Sequence, residues 1–363
     1  MEPGSHVVVI GAGGNIGSHL IPHLTRIAAL GRLTLVDRGV YEPRNLQNQD
    51  IPSGGSRRRK AVVQAARARK LNPRLQVDTV AEELETIPLG ALRADLLLAC
   101  LDSRRARQRV NDAASRLGLP WLDGGVLGAG LLGRVTRYVP GQELPCLECT
   151  WGEADYAALE QSYPCETAEP AATTAPSSLG ALVAALLALE CHKLLSGEGT
   201  PLAPGTELVV DAAHHRHFVT AVRRNPECRR ADHGAWSLEP LPGGRLARLG
   251  SVFEAARRRV RGNGDLRLRV EGKPFVRELS CSACGATRRL LRLAVALRES
   301  ELRCSDCGAR CIPAGFGLSE SIAEHSLTRA ERNRPLAALG ARAGEVLSIG
   351  TAERELHLTL VEP

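Results

Sequence analysis

The sequence predicts a doubly wound α/β domain, its mostly parallel sheet of Rossmann type, followed by a smaller, β-rich carboxyl-terminal domain. Three observations carry that expectation. From His6 to about Leu122, short apolar runs alternate with longer amphipathic stretches, the pattern of repeated strand, helix, strand units. The first apolar run leads into Gly11-Ala12-Gly13-Gly14-Asn15-Ile16-Gly17, a glycine turn between a strand and a helix. From about Ala235 the composition shifts toward Arg and Gly, and two C-x-x-C-G pairs follow with the spacing of a zinc ribbon. The expected domains are therefore 1–234 and 235–363.

Taken in order, Val7–Ile10, Leu33–Val36, Leu75–Val80 and Asp95–Cys100 are the strand candidates. Ile16–Leu30 and Arg58–Leu71 carry helical spacing between them, and Asn72-Pro73 ends the second, because a proline drives the residue before it out of the helical region. Glycines cluster over Gly124–Gly133, where they suit a channel for an extended chain, ahead of a β-prone stretch, Arg134–Val139. Gly152–Ser178 lacks periodicity and is rich in Ala, Thr and Pro, which predicts a long loop. Ser177 or Ser178 is placed to cap an apolar helix that runs to about Leu195 and stops at Gly197. Gly205–Val222 reads as a strand pair, and a helix near Val252–Val260 precedes the short strands of the second domain.

The 363 residues are 44% hydrophobic and 24% charged, which allows a sizeable core and excludes a wholly disordered, collagen-like or coiled-coil chain. The longest apolar run, Leu179–Leu189, falls short of the roughly 20 residues that a membrane span requires, so no membrane segment is expected. No secretory signal precedes Val7, and a cytoplasmic location is expected. The net charge of +7 comes largely from arginine, and solvated helix faces account for runs such as Arg57–Lys60 and Arg257–Arg259. Aromatic residues make up only 3%, which leaves few stacking platforms for a nucleic-acid partner.

The glycine turn lets backbone N–H groups approach a phosphate at the positive end of the following helix, with Gly11, Gly13, Gly14 and Gly17 as the contributing positions. Asp37 ends the next strand, where a carboxylate can accept hydrogen bonds from ribose hydroxyls. The glycine spacing also suits extended short-chain dehydrogenases. Those enzymes need a Tyr with a Lys four residues later, and none of Tyr41, Tyr138, Tyr156 or Tyr163 has one, so an NAD-dependent oxidoreductase ranks behind other nucleotide chemistry.

More specific motifs follow: Asn45-Leu46-Gln47-Asn48-Gln49, then Lys60, then Asn72-Pro73, then a strand ending Ala99-Cys100-Leu101-Asp102-Ser103. With them, residues 6–234 resemble the ubiquitin-activating superfamily typified by ThiF and MoeB. The resemblance implies an ATP-dependent adenylyltransferase that activates the carboxyl-terminal glycine of a ubiquitin-like or sulfur-carrier protein. It also implies a homodimer and, where conjugation follows, a conjugating protein as a further partner. In that family the Asn-Leu-x-Arg-Gln segment and a downstream Lys contact the ATP phosphates and the Asp after the later strand serves Mg2+, which carries over to Asn45, Lys60 and Asp102.

Elementary chemistry agrees, because a carboxylate attacking an α-phosphate brings two anions together and cations must absorb the charge. Lys60 can neutralise phosphate oxygens and Asp102 can hold a metal. The plainer alternatives are a solvated basic run for Lys60 and, for Asp102, a cap of the helix beginning at Ser103. The motif's usual Arg is Asn48 here, which leaves Arg44 or the Arg57–Arg59 run to supply that cation. The glycine motif also has one residue more between Gly14 and Gly17 than the family pattern. Both departures keep an adenylation-deficient nucleotide-binding scaffold open as an alternative.

Of the eleven cysteines, Cys281, Cys284, Cys304 and Cys307 provide four thiolates for a closed tetrahedral zinc site that would stabilise the second domain. Cys311 is left over. Cys146 and Cys149 follow Pro145, as in the resembled family, whose second zinc pair comes after an Asn-Pro segment; Asn225-Pro226-Glu227-Cys228 matches its first half. Ala231 stands where the last Cys is usual, so His233 is the expected fourth ligand, with His214, His215 and His217 as rivals. Cys165 lies in the long loop, where thiol-transferring members of the family carry the acceptor cysteine; a thioester step and an inert loop thiol are both open there. Cys100 and Cys191 fall in apolar patterns and read as core.

Overall fold

A computed structural model describes residues 4–160, 175–230, 232–260, 264–314 and 317–361. The chain forms two compact units, Met1–Leu84 with Leu92–Ala235, and Glu85–Ala91 with Trp236–Pro363.

The first unit contains, in order, β1 (Ser5–Ile10), α1 (Asn15–Leu24), β2 (Leu30–Val36), α2 (Lys60–Leu71), β3 (Gln76–Val80), β4 (Leu96–Ala99), α3 (Arg104–Leu117), β5 (Trp121–Leu127), β6 (Leu132–Tyr138), α4 (Glu153–Glu160), α5 (Ser177–Ser196), β7 (Thr206–Asp211) and β8 (Arg216–Ala221). They build an eight-stranded sheet in the order β3-β2-β1-β4-β5-β6-β7-β8. The first five strands run parallel, and β6, β7 and β8 are added antiparallel. Val7, Val8, Val9, Leu97 and Leu98 are fully buried, so the central strands are continuous apolar runs, as strands covered on both faces must be. The strand order reverses at β1, between β2 and β4. The turn after β1 and the loop after β4 therefore open side by side at the carboxyl ends of the strands, where ligands of such sheets bind.

Several boundaries differ from the sequence reading for local reasons. The first helix stops at Leu24, where the Thr25 hydroxyl donates to the Pro22 carbonyl, and Leu30 opens β2 instead of closing the helix. Helix α2 starts at Lys60 because Arg57 and Arg58 exchange backbone hydrogen bonds with Tyr41. Gly124, Gly125 and Gly133 lie within the β5–β6 hairpin. A Cβ at Gly124 would come within 2.5 Å of Leu187, and one at Gly133 within 2.6 Å of Val183, so these glycines admit α5 against the sheet. The expected long loop contains α4, and α5 is N-capped by Pro176, which puts Ser177 and Ser178 inside the helix. At 20 residues α5 has the length and apolar character of a membrane span, contrary to the sequence expectation. Its Leu179, Val183, Ala184, Leu187 and Cys191 are buried, and it packs on α1, β5 and β6 as a core helix.

The second unit contains β9 (Leu238–Pro240), α6 (Leu249–Arg259), β10 (Arg267–Val270), β11 (Phe275–Cys281), β12 (Thr287–Leu293), β13 (Cys311–Pro313), β14 (Leu318–Ser319), β15 (Ile322–Ala323), α7 (Arg329–Arg332), β16 (Val346–Gly350) and β17 (Glu355–Thr359). One sheet has the order β15-β10-β16-β17-β9; the other is β12-β11-β13, with β14 also on β11. Leu249, Val252, Phe253 and Ala256 of α6 pack into a core with Leu268, Leu347 and Ile349. Residues 85–91, which lie between β3 and β4 in sequence, belong to this unit: the buried ammonium of Lys273 donates to the Thr86 carbonyl (2.8 Å) and to Glu345 (2.7 Å).

Candidate functional site

The turn after β1 is built by its glycines. Gly11 adopts φ +83°, and a Cβ there would fall 2.4 Å from the Cys100 carbonyl oxygen after β4; at Gly17 it would fall 2.1 Å from the Gly11 carbonyl. Gly13 lies against the Lys60 side chain, which a Cβ would meet at 2.4 Å. Gly14 differs: its nearest neighbours to a Cβ are at 3.5 Å, so no internal packing demands glycine there. Gly14 caps α1 without a side chain, which leaves the helix's first N–H groups to an external anion. The carboxylate of Asp37, at the end of β2, accepts the Gly13 and Gly39 N–H groups, each at 2.8 Å, and so braces the turn from the neighbouring strand.

Lys60 opens α2 and reaches back over this turn, its Nζ 5.4 Å from the ring centroid of buried Tyr41. Burial lowers the pKa of its ammonium, Asp37, Asp102 and Glu42 oppose that shift in decreasing order, and Arg44 adds to it. Asp37 stands beside Lys60, since a Cβ at Gly39 would fall 3.1 Å from the Asp37 carboxylate and 3.2 Å from the Lys60 side chain. Asp102 is exposed in the loop after β4. It is not the helix cap, because Ser103 is: the Ser103 hydroxyl accepts the Ala106 N–H at 3.2 Å, and α3 begins at Arg104. Arg44 stands in a short 3-10 turn, Pro43–Gln47, and pairs with Glu42 at 2.6 Å. The side-chain oxygen of Asn45 accepts the Glu42 N–H and closes that turn. Arg59 points elsewhere, toward the carbonyls of Arg38 and Ala81.

The family model described as the ThiF family matches residues 4–230. The chain belongs to the ThiF family. It is 30% identical over 227 residues to the sulfur carrier protein ThiS adenylyltransferase of Escherichia coli, covering 62% of this chain and 84% of that one. It is 28% identical over 246 residues to the ubiquitin-like modifier-activating enzyme 5 of Gallus gallus, covering 61% and 57%. Among solved structures, E. coli MccB superposes with a TM-score of 0.52 at 21% identity, covering 63% of this chain and 66% of that one, a likeness of fold.

This ThiF-family chain carries a cysteine cluster in each unit. Cys146, Cys149, Cys228 and His233 have their ligand atoms within 4.8 Å of one another, and so do Cys281, Cys284, Cys304 and Cys307. Tetrahedral zinc with bonds of about 2.3 Å to sulfur and 2.0 Å to nitrogen requires S···S edges of about 3.8 Å and S···N edges of about 3.6 Å. Cys146 and Cys228 are 3.9 Å apart, and Cys146 lies 3.6 Å from Nε2 of His233. In the second cluster Cys281 lies 3.5 Å from Cys307, Cys284 3.7 Å from Cys304, and Cys307 3.6 Å from Cys284. Both donor sets therefore fit zinc.

Nδ1 of His233 lies 2.9 Å from the Leu144 carbonyl, which assigns the proton to Nδ1 and turns the Nε2 lone pair toward the thiols. His214, His215 and His217 belong to neither cluster, and His214 pairs with Asp211. The two ribbon knuckles repeat one geometry: Cys281 and Cys304 donate N–H to Ala286 and Ala309, and Gly285 and Gly308 turn the chain at φ +73° and +74°. Backbone N–H groups of Cys284 and Ala283 pull the Cys281 thiol down to about 6, toward the thiolate that a metal needs. Cys311 is buried in β13 opposite Cys281 and outside the cluster; Cys100 and Cys191 are buried in the core. Cys165 and Ala231 lie outside the described residues.

One feature was not read from the sequence. Asp123 is wholly buried on β5, with Arg107 and Arg134 both bound to its carboxylate. The signal was a lone acidic residue inside an apolar strand, Trp121-Leu122-Asp123.

Proposed function

We propose that the chain is an ATP-dependent activating enzyme that adenylates the carboxyl-terminal glycine of a ubiquitin-like or sulfur-carrier protein. The observation that carries this reading is the glycine turn at the switch point of the sheet, braced by Asp37 and covered by Lys60, with exposed Asp102 in the adjoining loop after β4. The adenylyltransferase and the activating enzyme reported above supply the reaction class. A carboxylate oxygen of the substrate tail attacks the α-phosphorus in line, pyrophosphate leaves, and an acyl-adenylate remains. The Gly14 end of α1 and the Lys60 ammonium would receive phosphate oxygens. Asp37, at the end of β2, would accept hydrogen bonds from the ribose hydroxyls.

One exposed carboxylate beside bound phosphates is the donor set that Mg2+ habitually takes, so Asp102 would hold the ion. Bound there, Mg2+ would supply charge neutralisation at the phosphate oxygens. Arg44 would replace the motif arginine lost at Asn48: it stands in the short 3-10 turn that Asn48 caps, while Arg59 reaches the Arg38 and Ala81 carbonyls. Zinc in both cysteine clusters would be structural, because each shell is closed by four protein ligands.

ATP–pyrophosphate exchange that depends on a ubiquitin-like protein with a free carboxyl-terminal glycine is the deciding experiment. ATP binding without exchange would support the scaffold reading instead, which the Asn48 departure favours. If a thioester follows, a reductant-sensitive adduct with that protein should vanish in Cys165→Ala while exchange persists.

A further inference from the structure

Arg107, in the first turn of α3, makes three contacts with one guanidinium. Its Nε donates to Asp123 at 2.9 Å, and one terminal nitrogen donates to the Leu101 carbonyl at 2.6 Å and to the Gly124 carbonyl at 3.3 Å. Leu101 immediately precedes Asp102. A peptide unit is planar, so holding the Leu101 carbonyl also holds the N and Cα of Asp102. The anchor is itself immobile: Asp123 is fully buried, and its second oxygen accepts from Arg134 at 2.6 Å, while Arg134 also reaches Glu207. Two guanidiniums balance two carboxylates, so the one fully buried charge, Asp123, has its counter-charges. Gly125 explains itself in the same arrangement: a Cβ there would stand 2.8 Å from Arg134 and 3.3 Å from Arg107.

We propose that Arg107 is a positioning residue: it ties the Asp102 loop after β4 to the buried Asp123 and the Gly124 backbone, and so sets where the Asp102 carboxylate stands. This rests on the activating-enzyme reading for its catalytic consequence but not for the tether itself. Lysine cannot replace it, because an ammonium lacks the fork that reaches a carboxylate and two carbonyls in separate directions.

The test uses the full chain with Arg107→Ala and, should that variant fold poorly, Arg107→Lys. Amide hydrogen exchange over residues 100–103, without nucleotide, is expected to be at least tenfold faster in both variants, with β1 and β5 amides unchanged. In pyrophosphate exchange, kcat is expected to fall by about 100-fold, as small misplacements of reacting groups do, with KM for ATP little altered. Millimolar guanidinium is expected to restore part of the rate to Arg107→Ala and none to Asp102→Ala. Unaltered protection over 100–103, or a wild-type kcat, would overturn the proposal. A wild type with no exchange but with the expected loss of protection in the variants would sink the activating-enzyme reading and leave the tether standing.

Discussion

Lys60 is the side chain on which the proposed chemistry turns, and its surroundings explain why an ammonium can remain charged there. Burial lowers its pKa below the ordinary lysine value, and Asp37, Asp102 and Glu42 oppose that shift without cancelling it. Lys60→Ala and Asp102→Ala are each expected to slow pyrophosphate exchange by about 10² to 10³, the usual loss of a transition-state charge partner. Far-ultraviolet circular dichroism should stay unchanged, and a wild-type rate for either variant would remove that residue from the site. Arg44 lends itself to a sharper test. If it replaces the motif cation, Arg44→Ala slows exchange and Asn48→Arg restores the rate in that background, a coupling that a double-mutant cycle measures. Additive effects of the two changes would leave the missing cation unassigned.

Within elements, the glycines after β1 separate by purpose. Gly17→Ala forces a methyl within 2.1 Å of the Gly11 carbonyl and is expected to destabilise the first unit by about 1–3 kcal/mol, the range for overpacking. Gly14→Ala meets ordinary contacts at 3.5 Å, so its melting temperature should match the wild type while ATP binding weakens, because the methyl occupies the phosphate approach. Thermal melts beside an ATP titration distinguish the two, and equal stability losses would contradict the assignment.

Helix α7 poses a separate question of pH. Thr328 and Glu331 form its capping box, and Glu331 also binds Arg289 through both oxygens. Burial would raise the Glu331 pKa, but Arg289 and Thr328 outweigh it and hold it at about 2 against an ordinary 4.5. A depressed carboxyl stabilises the fold above its unfolded pKa and loses that contribution as pH falls through its folded value. Stability of the second unit should therefore decline from about pH 4.5 toward 2, and Glu331→Gln should flatten that stretch of a melting-temperature profile. A profile that keeps its slope in the variant would place the acid sensitivity elsewhere.

Across the described residues, two closed donor sets fit two zinc ions, whose proposed role is in stability rather than in the reaction. Metal analysis is expected to return two zinc equivalents, with Cys284→Ser losing one and Cys149→Ser the other. Because structural zinc contributes folding free energy directly, chelation should lower the melting temperature of the second unit while leaving exchange measurable, provided the first cluster stays loaded. A second unit that keeps its melting temperature when metal-free would contradict a structural role. Residues 85–91 give the second unit a discontinuous chain, joined by Lys273, Glu345 and the Thr86 carbonyl.

The sequence by itself determined the parallel core, the glycine turn, Asp37 at the next strand end, and the seven cysteine ligands of the two clusters. These are local matters: apolar runs, φ-permissive glycines and C-x-x-C spacing act over a few residues, and their patterns survive in one dimension. The choice of Ser103 over Asp102 as the helix cap needed the local backbone geometry, and that of His233 over three other histidines needed distances between segments far apart in sequence. The same holds for Gly124, Gly125 and Gly133, whose missing Cβ atoms make room for α5, Arg107 and Arg134, and for residues 85–91. Close approach and charge pairing depend on which surfaces the fold brings together, and no spacing along the chain encodes that.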